Sequence, residues 1–174
     1  VGHRPSHRED SNSRAPRPPA HKRRGARHTL NVPGGEALLR PARDLQLSAA
    51  WGLTYSEIKD FADATAIGNE APLISRSTIN LGVQYNPAIT TDLDALMRVD
   101  YRRTGRTWWD VPNSTVRRPI ELVNARVGVE SESWGLYAFA TNLFNEEYNA
   151  EFSPGGFVFK ARPRVYGVEA TVRY

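Results

Sequence analysis

From Leu45 to the last residue, apolar and polar positions alternate with period two in six separate stretches. A strand sends successive side chains to opposite faces, so this period marks half-buried β-structure. The first stretch sets Leu45, Leu47, Ala49, Trp51, Leu53 and Tyr55 against Gln46, Ser48, Ala50, Gly52, Thr54 and Ser56. The second sets Ile79, Leu81, Val83 and Tyr85 against Thr78, Asn80, Gly82 and Gln84. The third sets Leu93, Ala95, Met97, Val99 and Tyr101 against Asp94, Leu96, Arg98, Asp100 and Arg102. The fourth sets Val123, Ala125, Val127 and Val129 against Leu122, Asn124, Arg126, Gly128 and Glu130. The fifth, Trp134 to Phe144, is apolar on both faces for most of its length, which leaves its phase open. The last sets Tyr166, Val168, Ala170, Val172 and Tyr174 against Val165, Gly167, Glu169, Thr171 and Arg173.

The links between these stretches carry a second pattern. They run long (Lys59 to Arg76), short (Asn86 to Thr91), long (Arg103 to Pro119), short (Ser131 to Ser133) and long (Asn145 to Pro163). Outer-membrane barrels have short periplasmic turns and long extracellular loops. A soluble sandwich has no reason to sort its loops this way. The pattern therefore predicts an all-β, antiparallel, up-and-down membrane β-barrel segment, about six strands of a larger barrel. If the short turns are periplasmic, the C-terminus is periplasmic too. Tyr85 and Tyr174 then fall at the inner aromatic girdle, and Tyr55, Tyr101 and Tyr166 at the outer one. Tyr166 to Tyr174 spans about 26 Å of strand, or roughly 20 Å along the normal after a tilt of about 40°, against an apolar band of about 25 Å.

Energetics fix which face meets lipid. The reversed phase would place Asp94, Arg98, Asp100, Arg126 and Glu169 in hydrocarbon. A cation at the midplane costs roughly 2–4 kcal/mol and an acid somewhat less, so the reversal costs on the order of 10 kcal/mol. The lumen-facing candidates are therefore Asp94, Arg98, Asp100, Asn124, Arg126, Glu169 and Arg173.

Composition changes the picture mainly at the N-terminus. The formal net charge of +4 joins two unlike parts. Residues 1–43 hold ten Lys/Arg against three Asp/Glu, and residues 44–174 hold thirteen against sixteen. All four histidines lie in the first part. Residues 1–35 are rich in Arg, Pro, His, Ser and Gly without hydrophobic periodicity, which predicts a disordered basic tail, with the β-segment occupying 36–174. The run His21-Lys22-Arg23-Arg24 lacks interleaved aromatics, and no base-reading fold follows it, so nucleic acid is not an expected partner. No apolar core of a signal peptide is visible in residues 1–30, and the chain starts at Val1, which reads as a fragment or a displaced start. With no cysteine, disulfides and thiolate metal sites are excluded.

Three stretches carry a family resemblance. They are Leu122 to Val129 (LVNARVGV), Ala140 to Tyr148 (ATNLFNEEY) and Pro163 to Tyr174 (PRVYGVEATVRY). The second is similar to the "NLF(D/N)xxY" segment, and the third to the "PRxYG…aromatic" ending, of TonB-dependent outer-membrane receptors. Residues from about Gly35 to Tyr174 resemble the C-terminal barrel portion of that family. The resemblance implies a 22-stranded barrel with a plugged lumen in the Gram-negative outer membrane. It implies active uptake of a scarce nutrient of the siderophore–iron, cobalamin or saccharide class, driven through TonB. The family's plug and TonB box have no counterpart in this sequence. The implied partners are outer-membrane lipid, the barrel-assembly machinery reading Tyr174 as its signal and, in a full-length parent, a plug domain and TonB. Six strands with two open edges are not expected to transport alone.

The candidate ligand contacts are Trp108 and Trp109 on an outer loop, for which loop-to-loop packing is the plainer explanation. Asp110, Glu146, Glu147 and Glu151 have no Ca²⁺-loop spacing. No catalytic constellation is present and no cofactor is expected, so the chain does not read as an enzyme. Two alternatives remain: a different outer-membrane barrel such as a porin or adhesin, and a soluble β-domain that binds a ligand with a basic arm.

Overall fold

The computed structural model describes residues 27–153 and 156–173. In chain order the strands are β1 (Arg27–Asn31), β2 (Gly34–Ala42), β3 (Leu45–Leu53), β4 (Tyr55–Asp60), β5 (Ser77–Tyr85), β6 (Ala88–Thr90) and β7 (Leu93–Thr104). There follow β8 (Thr107–Trp108), β9 (Val116–Arg117), β10 (Ile120–Glu130), β11 (Trp134–Thr141), β12 (Asn149–Ser153), β13 (Phe157–Lys160) and β14 (Val165–Val172). One 3₁₀ turn, Ala64–Ala66, lies between β4 and β5.

Seven strands form one open antiparallel sheet in the order β14-β11-β10-β7-β5-β3-β2, and the short β6 pairs with β7. Each strand lies beside its neighbours in sequence among these seven, an up-and-down meander. All six expected strands are present, and β2 is a seventh. It escapes the period-two reading because Ala37-Leu38-Leu39 do not alternate and Pro41 interrupts the run. The register against β3 explains the tolerance of Pro41. It passes from Leu39↔Leu47 to Ala42↔Leu45, so Arg40 and Pro41 together face one residue in a bulge. A proline lacks the N–H that a regular ladder needs and is accepted at bulges and edges.

The expected disordered tail is corrected at its C-terminal end. Residues 27–31 are β1, antiparallel to β4, and residues 34–42 are β2. The apolar content of residues 30–39 (Leu30, Val32, Leu38, Leu39) supplies what the preceding segment lacks. Residues 1–26 lie outside the described residues, as does Tyr174.

Register sorts the side chains onto two faces. One face carries the row Leu47↔Val83↔Val99↔Ala125↔Ala140↔Tyr166 and the row Leu45↔Tyr85↔Met97↔Val127↔Ala138↔Val168. The other carries Gln46↔Gln84↔Arg98↔Arg126↔Phe139↔Gly167. This settles the fifth stretch. Trp134, Leu136, Ala138 and Ala140 join the apolar face, while Tyr137 and Phe139 turn to the polar one. Glycines make room for those two rings. A Cβ on Gly167 would overlap the Phe139 ring, and one on Gly128 would stand 2.5 Å from Tyr137 Cδ1.

The apolar face is uncovered. Val99 is 47% exposed, Val127 53% and Val168 73%. The fully buried Ile58, on β4, sits instead at the long-loop end with Ala66 and Ala71.

Candidate functional site

The short turns lie at one end of the sheet, which gives its slant. β3 begins at Leu45, whose row reaches Val127 on β10, yet β10 runs on to Glu130 before its turn. With the short turns in one plane, three residues of strand, about 10 Å, are offset over three inter-strand steps of about 4.8 Å each. The strands therefore lean by about 35°, within the tilt of outer-membrane barrels.

That slant assigns heights above the short-turn plane. On the apolar face Trp134 lies at about 0 Å and Tyr85 at about 3 Å, while Trp51, Tyr101 and Tyr166 lie at about 17–19 Å. Between them the face holds only Leu, Val, Ala, Met and Ile side chains. The charged side chains on this face come next. Arg103 stands at about 22 Å, with Glu121 and Arg164 at about 25 Å. Arg103 Nε lies 3.2 Å from Glu121 Oε1. Trp51 and Trp134 belong to these aromatic rows, although tyrosines alone marked them in sequence. Tyr55 differs from the expectation. It begins β4, paired with Asn31 above the seven-strand sheet, about 10 Å beyond Trp51.

The polar face gathers Asp94, Arg98, Asp100, Asn124, Arg126, Glu169 and Arg173. Arg98 donates to both Asp100 oxygens (2.7 and 2.8 Å) and to Gln84 Oε1 (3.1 Å). Arg126 crosses β11 to grip Glu169 with two hydrogen bonds of 3.0 and 2.9 Å, its guanidinium 4.0 Å from the Tyr137 ring centroid. Tyr137 donates to Glu130 Oε2 at 2.5 Å, and Arg173 lies 3.6 Å from the same oxygen. Asp94 stands opposite Glu130 in register. Asn124 Oδ1 accepts from the backbone N–H of Asn142 at 3.0 Å. These pairs are partly solvated, so their role is to order the face rather than to stabilise it strongly.

The long loops form a packed platform. Leu73 N–H donates to Trp108 O at 2.7 Å, and Asn69 Nδ2 to Val111 O at 3.0 Å. Glu70 N–H donates to Asn113 Oδ1, and Asn113 Nδ2 returns a bond to Glu70 O, both at 2.9 Å. Arg106 reaches Glu70 at 2.5 Å and stacks 5.7 Å from the Trp108 ring centre. Arg117 stacks 5.4 Å from Trp109, which also meets Phe152 at 6.2 Å. Burial pushes the Arg117 pKa down, partly opposed by Tyr148. Trp109 is half-buried between Arg117 and Phe152 of another loop, and Trp108 is half-buried beside Arg106 of its own loop.

Two tight turns hold the platform. Asp110 accepts from the Ser114 and Thr115 N–H groups and from the Ser114 hydroxyl. Partial burial pushes its carboxyl up, but these donors outweigh it and hold it below the usual carboxylate range. Thr65 does the same for Asp63 through its hydroxyl and N–H. In the ATNLFNEEY segment, buried Asn142 has φ +51°, and its side chain bonds Glu146 N–H (2.8 Å), Glu146 O (3.0 Å) and Arg162 O (3.4 Å). Asn145, at φ +55°, accepts from Arg164 N–H at 3.0 Å. Asparagine tolerates this left-handed backbone better than most residues, which explains both asparagines of the motif. Among the described residues no group of three or more His, Asp or Glu side chains could hold a metal ion. Asp110, Glu146, Glu147 and Glu151 are not brought together as such a group.

No family model matches the chain. Solved structures do. The ferric yersiniabactin uptake receptor FyuA from Yersinia pestis superposes with a TM-score of 0.76 at 16% identity, covering 84% of this chain and 24% of its own. BauA, the ferric preacinetobactin receptor from Acinetobacter baumannii, gives 0.74 at 12% identity, covering 83% and 22%. The ferric-catecholate import receptor Fiu from E. coli K12 gives 0.62 at 18%, covering 81% and 20%. The chain spans less than a quarter of the length of these transport receptors. At these identities the likeness is one of fold: the seven strands form an open antiparallel sheet that superposes on part of these receptors.

Proposed function

We propose that this chain is a piece of the wall of a TonB-dependent receptor in the Gram-negative outer membrane, serving uptake of a siderophore–iron complex. The observation that carries the reading is the apolar belt. It is about 20 Å tall, bounded by aromatic rows, with the charges of its face confined beyond one row. That matches an apolar band of about 25 Å flanked by aromatic girdles. The belt faces lipid, and the polar face with its Arg126–Glu169 and Arg98–Asp100 pairs lines the lumen. The short turns are periplasmic and the loop platform is extracellular. Tyr174, which follows β14 in the sequence, is the residue we propose the barrel-assembly machinery reads.

Parity weighs against a small self-contained barrel. With seven strands, the edges β2 and β14 run in the same direction, so closing the sheet on itself would pair two parallel strands. Antiparallel closure needs an odd number of further strands. In hydrocarbon each open edge must be paired, by a further strand or by another copy of the chain, because each backbone group needs a partner. The described sheet is therefore not transport-competent alone; a plug and TonB are partners of the complete receptor.

Fractionation tests the reading. The full chain is expected to require detergent for solubility and to protect its belt from protease in liposomes. A monodisperse chain in aqueous buffer overturns it. Energised uptake of a ferric siderophore into liposomes by this chain alone overturns the dependence on further strands.

A further inference from the structure

The apolar face is not flat. A furrow of about 420 Å³ runs between β7 and β14. Its floor is Ala125, Ala138 and Ala140, and its walls are Met97 and Val99 on one side and Tyr166 on the other. Apart from the Tyr166 phenol, the side chains lining it on this face are hydrocarbon or thioether. Just above Tyr166 sits a cation. The Arg164 guanidinium lies 5.2 Å from the Tyr166 ring centroid, and its NH1 group donates to Leu143 O at 3.2 Å. Among the described residues no carboxylate lies within 4.0 Å of it. Arg103, at nearly the same height on this face, is matched by Glu121.

We propose that the furrow and Arg164 together bind one phosphate-bearing lipid of the outer leaflet, an acyl chain lying on the alanine floor and the headgroup phosphate accepting from Arg164. The inference rests on the apolar face meeting hydrocarbon. Each half of the site demands one half of the ligand. A soluble anion leaves the furrow unexplained, and a neutral lipid leaves Arg164 without a counter-charge. Height agrees with this assignment: at about 25 Å, Arg164 stands above the aromatic row, where headgroups begin. Stacking on Tyr166 and the bond to Leu143 fix the guanidinium before the lipid arrives, reducing the entropy lost on binding.

The test is native mass spectrometry of the full chain in micelles carrying equal amounts of phosphatidic acid and diacylglycerol with identical acyl chains. A separate sample receives inorganic phosphate alone. The expected result is retention of phosphatidic acid over diacylglycerol by about tenfold, or ~1.4 kcal/mol, with no retained inorganic phosphate. Arg164→Gln should bring the ratio close to one, and Arg164→Lys should preserve a preference. Ala138→Leu, which fills the furrow, should lower retention of both lipids. Equal retention by the native chain, or a preference unchanged in Arg164→Gln, overturns the site. Undiminished retention in Ala138→Leu does the same. A chain that needs no detergent overturns the reading of the apolar face itself, a different result from detergent dependence without lipid preference.

Discussion

Val99 offers the sharpest energetic test of the two-face arrangement. It lies on β7 between Val83 and Ala125, 47% exposed, on the apolar face. Its height above the short-turn plane is about 11 Å, the middle of a belt about 20 Å tall. Arginine there would enter hydrocarbon at its deepest point and cost roughly 2–4 kcal/mol. Asn80 on β5 provides the control, since it pairs with Arg102 and Ala50 on the polar face. Asn80→Arg should stay within about 0.5 kcal/mol of the native chain, as an exposed substitution does. The assay is partition of the full chain between urea solution and phospholipid vesicles. Val99→Arg should reduce partition by about 30- to 900-fold, and Asn80→Arg by less than about threefold. Equal losses from both, or a larger loss from Asn80→Arg, would refute the facial assignment. A soluble sheet with a half-exposed Val99 would tolerate the arginine with little change.

Gly167→Val should strain the β11–β14 pairing, because the new Cβ overlaps the Phe139 ring; a loss of about 1–3 kcal/mol in urea titration is expected, largely recovered by adding Phe139→Ala. Asn142→Ala removes the three side-chain bonds to Glu146 and Arg162 and should cost about 1–3 kcal/mol, with hydrogen exchange accelerating at Glu146 more than at Val99. The Asp110 turn should weaken in acid. Its carboxyl is depressed in the folded loop, so its contribution is complete above the unfolded value near 3.9 and is lost as pH falls through the lower folded value. Trp109 fluorescence should therefore stay constant from pH 7 to about 5 and change below about 4, and Asp110→Asn should abolish that change.

The sequence made the strands and their phase legible where one face was charged. Asp94, Arg98 and Asp100 could point only one way, and the structure puts them on one face with Arg126 and Glu169. β11 kept its phase hidden because its partners, not its own residues, decide it. Tyr137 and Phe139 face the polar side because Gly128 and Gly167, on other strands, leave space for rings. β2 was concealed by the bulge at Arg40 and Pro41, a feature that depends on its register with β3. Trp51 lies within a plainly alternating stretch, and Trp134 opens the stretch whose phase was hidden. Their membership in the aromatic rows, like the displacement of Tyr55 above them, depends on the slant and so on pairing across several strands. The loop platform was least legible, because contacts such as Asn113 with Glu70 join residues far apart in sequence.

The most direct test uses the absence of native cysteine. Single cysteines placed in turn at positions 95 to 102 of β7, each carrying a spin label, can be read in liposomes for collision with oxygen and with a water-soluble nickel chelate. Odd positions should favour oxygen and even positions the chelate, with period two and the deepest oxygen signal near Val99. A uniform profile along β7, or greater oxygen access at Arg98 and Asp100 than at Met97 and Val99, would contradict a membrane wall with its charges turned inward.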